Sequence, residues 1–151
     1  MSAALYATTR TSLAVIDASV AVKWLIPEAH HERAQALIVE GHQLIAPSHI
    51  GMEVLGAVVR KFRMKQLEPS EVARARQSWA AMIDEGVIEL VDAARLMEAA
   101  VNIAIDLRHS LADCLYVALA GEVSGTLMTF DRLLCERGRQ RCTVRLLGID
   151  D

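Results

Sequence analysis

The chain has 151 residues, 53% of them hydrophobic, and a formal charge of −3, enough for one domain with a sizeable core and too little for two. So mild a charge points neither to a strongly basic nucleic-acid binder nor to an acidic disordered segment. No apolar run reaches the roughly 18 residues of a membrane span, and the N-terminus lacks a basic start followed by an apolar stretch, which predicts a cytoplasmic protein with no membrane attachment. Cys114, Cys135 and Cys142 form no C-x-x-C pair, so reduced structural thiols are expected, without a disulfide framework or a zinc site.

In chain order, residues 1–12 are small and polar and are expected to form a loose leader to a domain running from 13 to 151. Leu13-Ala14-Val15-Ile16 is fit for a central strand, and Asp17-Ala18-Ser19 leads from it into a helix over 20–26 that Pro27 stops. A helix over 28–40 follows, with Ala34, Leu37 and Ile38 inward and Gly41 at its close. Residues 43–46 read as a second strand ended by Pro47, and Ser48 is placed to cap a helix to about Lys61 that holds Glu53. A turn at 67–70 opens an amphipathic helix through Asp84, Gly86 ends it, and residues 87–91 form the third strand. A helix over 93–107 and another from Ser110 come next. Gly121 to Gly125 break the latter, residues 126–130 form a buried strand delivering Asp131, and a last helix and a closing strand over 143–147 complete the chain. Strands alternating with helices predict a three-layer α/β/α domain with a central, mostly parallel sheet.

Four acids stand out. Asp17 and Asp131 follow strands, and in an open parallel sheet that end is where ligands bind. Glu53 and Asp113 lie on segments apolar nearly all round, which predicts burial, and a buried carboxylate needs a partner, a cation or a proton. Plainer explanations exist for each one. Asp17 and Asp131 suit helix N-caps, and Asp113 suits the Asp form of a capping box with Ser110. Glu53 suits a buried ion pair with Arg60 or Lys61. Each explanation serves one residue, whereas a shared cation site serves all four if the fold brings them together.

The segments LAVIDASVAVKWLIPE, APSHIGMEVLGAVVRK and HSLADCLYVALAGEVSGTLMTFDRLL, in this order, resemble the PIN-domain ribonucleases, and specifically the VapC toxins of bacterial toxin–antitoxin pairs. The resemblance spans about Leu13 to Leu147 and places the family's four acids on Asp17, Glu53, Asp113 and Asp131, with Ser19 and Thr129 as supporting hydroxyls. It departs in Ala112, where an aromatic residue is frequent, and in the long leader. It implies a Mg²⁺-dependent endoribonuclease, with Mn²⁺ as an alternative ion, that cuts RNA and is held inactive by a VapB-type antitoxin. Asp17 and Asp113 are then expected as direct metal ligands, Asp131 as a direct or water-mediated ligand, and Glu53 as the group orienting or deprotonating the attacking water.

RNA would be drawn in by basic residues. Lys23 and Arg132 are nearest the acids, Arg60 and Lys61 lie in one basic cluster, and 137–141 forms another, although solvated helix ends explain both clusters equally well. The histidines show no ligand spacing, and Trp24 and Trp79 read as packing or interface residues. Apolar positions over 34–39 and 64–82 are expected to supply homodimer and antitoxin surfaces. A haloacid-dehalogenase-like phosphatase is disfavoured because Ser19 stands where its second Asp belongs, and a receiver-type domain because it wants adjacent acids after strand one. The remaining alternative is a PIN-like module that binds RNA or a partner with little or no cleavage.

Overall fold

The computed structural model describes residues 12–149, so the leader expected over 1–12 lies, Ser12 apart, outside the described residues. Five strands form one parallel sheet: β1 (Leu13–Ile16), β2 (Gln43–Pro47), β3 (Glu89–Val91), β4 (Thr126–Thr129) and β5 (Thr143–Leu146), in the spatial order β3-β2-β1-β4-β5. Helices α1 (Ala18–Leu25), α2 (His31–Val39), α3 (Ile50–Arg63) and α4 (Pro69–Asp84) pack together on one face. Helices α5 (Ala93–Leu107), α6 (Leu111–Val123) and α7 (Arg132–Gly138) cover the other, as right-handed crossovers require when the chain turns back from β3 to β4. The predicted three-layer α/β/α architecture is the observed one.

The central strand is central because it is apolar throughout: Ala14, Val15 and Ile16 are fully buried between β2 and β4. Helix α6 crosses β1, β2 and β4 with α5 against it, so every residue from Cys114 to Ala120 is buried. That meets the expectation of an all-apolar helix. Helix α3 departs from it. It packs against α1 and α4 through Ile50, Val54 and Val58, and leaves Met52 76%, Val59 42% and Phe62 43% exposed.

Several boundaries move for local reasons. Helix α1 begins at Ala18 because the Asp17 carboxylate accepts from Val20 N and caps it. Helix α2 begins only at His31, after a turn in which His30 takes a left-handed conformation (φ 65°). Ser48 does not cap α3: its hydroxyl accepts from Ala93 N at the start of α5, and His49 takes the cap position of α3. Strand β3 is shorter than expected because Gly86, at φ 74°, closes α4 with bonds from Gly86 N to Ile83 O and from Val87 N to Met82 O. Val87 is thus committed to a Schellman turn before the sheet begins.

Ala34, Leu37, Ala75 and Trp79 turn inward, and Trp24 donates its indole N–H to Ala34 O. Ile38, expected inward with Ala34 and Leu37, is instead exposed beside Val39, at 83%, and Met64 is exposed too, because each segment turns only two side chains into the core; α3 and α5 expose further apolar side chains, Ile105 among them. Among the described residues no helix is long and apolar enough to cross a membrane.

Gly125 enters β4 where β1 runs closest: a Cβ there would stand 2.8 Å from Leu13 O. Gly125→Ala should destabilise by about 1–3 kcal/mol, read by urea unfolding. Gly56→Ala, where a Cβ meets nothing within 4 Å, should be neutral or stabilising by up to about 1 kcal/mol.

Candidate active site

From β1 the chain first moves to β2 and β3 on one side, and only later returns to β4 on the other. The crossovers leaving β1 and β4 therefore diverge, and a crevice opens at their carboxyl ends. Ile16 pairs with Met128, so the next residues on the two strands, Asp17 and Thr129, stand side by side in that crevice.

Asp17 is 3% exposed. Ser19 Oγ donates to its Oδ1 at 2.6 Å and Thr129 Oγ1 donates to its Oδ2 at 2.5 Å. Each hydroxyl is itself fixed by β4 backbone beyond the strand: Phe130 N donates to Ser19 Oγ at 3.0 Å, and Asp131 N to Thr129 Oγ1 at 2.9 Å. With Val20 N, every donor to this carboxylate is neutral. Burial pushes the Asp17 carboxyl up to about 7, against the hydrogen bonds of Ser19, Thr129 and Val20, and the nearby charge of Asp113 pushes the same way.

Asp113 lies in the first turn of α6, and Ser110 Oγ accepts from its backbone N. The expected return bond of a capping box is absent. Its carboxylate Oδ2 binds His109 Nε2 at 2.7 Å instead, while Arg137 Nη1 lies 3.3 Å from His109 Nδ1 and donates to Arg108 O. Because the guanidinium is only a donor, Nδ1 accepts, which leaves Nε2–H to donate to Asp113.

Glu53 stands in the first turn of α3, half-buried. The ion pair expected with Arg60 or Lys61 does not form, because Lys61 binds Glu28 at 2.8 Å. Glu53 Oε1 receives Tyr116 Oη at 2.6 Å and lies 3.3 Å from His49 Nε2, which also bonds Ala112 O at 2.8 Å. The His49 hydrogen bond holds the Glu53 carboxyl below the usual range; burial works against it and the Tyr116 hydroxyl reinforces it. Tyr116 in turn is pushed well above its ordinary value by burial, by its bond to Glu53 and by the charges of Glu53, Asp17 and Asp113. These three acids thus share one field. Asp131 is exposed and caps α7 by accepting from Leu134 N at 3.0 Å, so for this acid the plain cap is real.

His49, His109 and Tyr116 escaped the sequence reading. The signal was present: both histidines precede a site acid by four residues, one turn along a helix. Among the basic candidates, Lys23 and Lys61 both pair with Glu28, whose carboxyl burial would raise but the two lysines hold down. Arg60 and Arg132 are exposed and make no ion pair among the described residues. Arg60 lines a groove of about 430 Å³ with Ala18, Ser19, Met52, Glu53 and Gly56.

Among the described residues no three His, Cys, Asp or Glu side chains gather into a ready-made ligand set. The chemistry still fits a hard cation. A buried carboxylate whose donors are all neutral, raised further by the charge of a second carboxylate, is relieved by positive charge, and Mg²⁺ binds through one or two carboxylates while keeping its waters.

A parallel α/β domain with acids at its strand-reversal crevice defines a class of open-sheet proteins that bind ligands at that point. Residues 14–139 match the family model of the PIN domain, and the chain belongs to that family. The PIN domain is a nuclease fold, and PIN domains typically use divalent metal ions. Among curated proteins none matches this chain. Among solved structures it is similar to FitAcB from Neisseria gonorrhoeae, with a TM-score of 0.60 and 17% identity, over 87% of this chain and 96% of that one.

The raised Asp17 value makes a prediction for stability. A carboxyl whose folded value lies above its unfolded one contributes fully below about pH 4 and progressively opposes folding as pH rises through about 7. In EDTA, Asp17→Asn should be more stable than the parent by about 2–4 kcal/mol at pH 8, with the gap closing towards pH 4. Urea unfolding at both pH values reads this, and a gap that ignores pH would refute the buried charge.

Proposed function

We propose that the chain is a Mg²⁺-dependent endoribonuclease of the VapC type, cutting RNA and restrained by a VapB-type antitoxin in the cytoplasm. The observation that carries this reading is Asp17, buried and clamped at the carboxyl end of β1 and within the field of Asp113. The family adds the nuclease fold; the resemblance of the three acidic segments to VapC toxins adds RNA and the antitoxin.

In this reading Asp17 and Asp113 would hold the ion. When bound, Mg²⁺ supplies positive charge against the phosphate and acidifies water for attack. Ser19 and Thr129 fix both oxygens of Asp17, and His109 fixes Asp113 from behind. Glu53 faces the groove, with Tyr116 and His49 donating to it. Two donors make it a weaker base, so its role is to orient the attacking water by accepting a hydrogen bond. Asp131, at the rim with its Oδ1 spent on the α7 cap, would reach the ion through water. Arg60 and Arg132, free of ion pairs among the described residues, would meet RNA phosphates, whereas Lys23 and Lys61 share Glu28 as a partner. The exposed row of Met52, Val59 and Phe62 beside the groove supports an antitoxin or a second copy as partner.

A second reading, a PIN-like module that binds RNA or a partner without turnover, draws on the loose gathering of the acids. The two separate in one experiment: partner-free protein and its Asp113→Asn variant incubated with total cellular RNA, with Mg²⁺, Mn²⁺ or EDTA. Discrete fragments that need both the metal and Asp113, with at least a ~100-fold loss in the variant, are expected. RNA bound but left intact by folded wild-type protein would decide for the binding module.

A further inference from the structure

Apart from the groove that Arg60 lines, a second cavity of about 300 Å³ is lined by Lys23, His30, Phe130, Arg132, Leu147 and Gly148 among others. It joins the acidic centre through one residue: Phe130, whose backbone N–H donates to the Ser19 hydroxyl that clamps Asp17. We infer that this cavity is a subsite for one nucleotide next to the scissile phosphate, with its base stacked on the His30–Phe130 ring pair and its phosphate on Arg132. The inference rests on the nuclease reading and adds to it a place where base identity is sensed.

The rings and charges are arranged for that task. His30 stacks on Phe130 with centroids 5.6 Å apart and planes 26° from parallel, and His30 is exposed, so a flat surface faces solvent. The Lys23 ammonium sits 4.9 Å from the Phe130 centroid and is tied to Glu28, so it buttresses the ring and leaves little charge for a phosphate. Arg132, the cation free of an ion pair here, starts α7 directly after Asp131. Gly148 keeps the cavity open: at φ 83° it places backbone where a Cβ would stand 3.2 to 3.3 Å from Phe130 and His30. The volume is at the low end of small-ligand sites, which suits one nucleotide and excludes a stacked run. Arg60 lines the separate groove that holds Ser19 and Glu53, so each of the two cavities carries one arginine free of an ion pair among the described residues.

The test uses a short single-stranded RNA of randomised sequence, cut by the wild type, His30→Asn, Arg132→Gln and, as a control on the α5–α6 face, Arg95→Gln. Asn removes the ring yet tolerates the left-handed backbone of His30. Sequencing of the product ends should show a base preference at one position beside the cut in the wild type, levelled in His30→Asn, with KM raised about tenfold. On an Asp113→Asn background that blocks turnover, Arg132→Gln should weaken RNA binding and lower the slope of log affinity against log salt by about 0.7, with Arg95→Gln unchanged. Arg132 is exposed, so its variant decides the matter even if His30→Asn fails to fold. If the wild type cuts while both variants keep its fragment pattern, KM and salt slope, the subsite is refuted and the nuclease reading stands. If the wild type neither cuts nor binds the RNA, both fall.

Discussion

The site depends on the two hydroxyl bridges that tie Asp17 to the end of β4. Ser19 and Thr129 each take a backbone N–H from the chain leaving β4 and pass a hydrogen to one oxygen of the carboxylate. This arrangement exists only if β1 and β4 pair in the observed register, because a slip of one residue would turn Thr129 to the other face of the sheet. It gives both carboxylate oxygens a hydrogen bond, leaves Oδ2 with one donor, and supplies no charge. A buried anion held in this way is geometrically fixed and electrostatically expensive, and a nearby cation would relieve that cost.

Around that centre, the fold sorts charges by neighbourhood. Glu28, in the turn before α2, takes up Lys23 and Lys61 together, one on each carboxylate oxygen. Arg60 and Arg132 are left without an ion pair among the described residues, one lining each of two separate cavities. The two remaining helical acids are each supported by a histidine one turn earlier, and Tyr116 links α6 to α3 through Glu53. A change in the seating of α6 would therefore displace Asp113 and Glu53 together.

The two apolar helices show how one sequence pattern serves two positions. Helix α6 lies between the sheet and α5, and every side has a neighbour. Helix α3 packs chiefly against α1 and α4, so the same composition leaves Met52, Val59 and Phe62 facing outward. Composition says how much apolar surface a helix has, and the layer in which it packs says how much of that surface is covered.

The sequence by itself determined the alternation of strands and helices, the α/β class, and the candidacy of Asp17, Glu53, Asp113 and Asp131. Those features are local: a four-residue apolar run, an acid at a strand end, an acid amid apolar neighbours. It also held, unread, the four-residue spacing of His49 with Glu53 and of His109 with Asp113. Tertiary structure alone decided that Ser48 serves α5 and not α3, that Glu28 takes both lysines, and that Asp131 remains a rim cap while Asp17 is buried. It alone placed Phe130 and His30 beside Gly148 to line the second cavity. The physical reason is the same throughout. These outcomes depend on which partner lies across a distance of tens to a hundred residues, and a hydrogen bond or ion pair forms with the neighbour the packing supplies, whatever partner lies nearer along the chain.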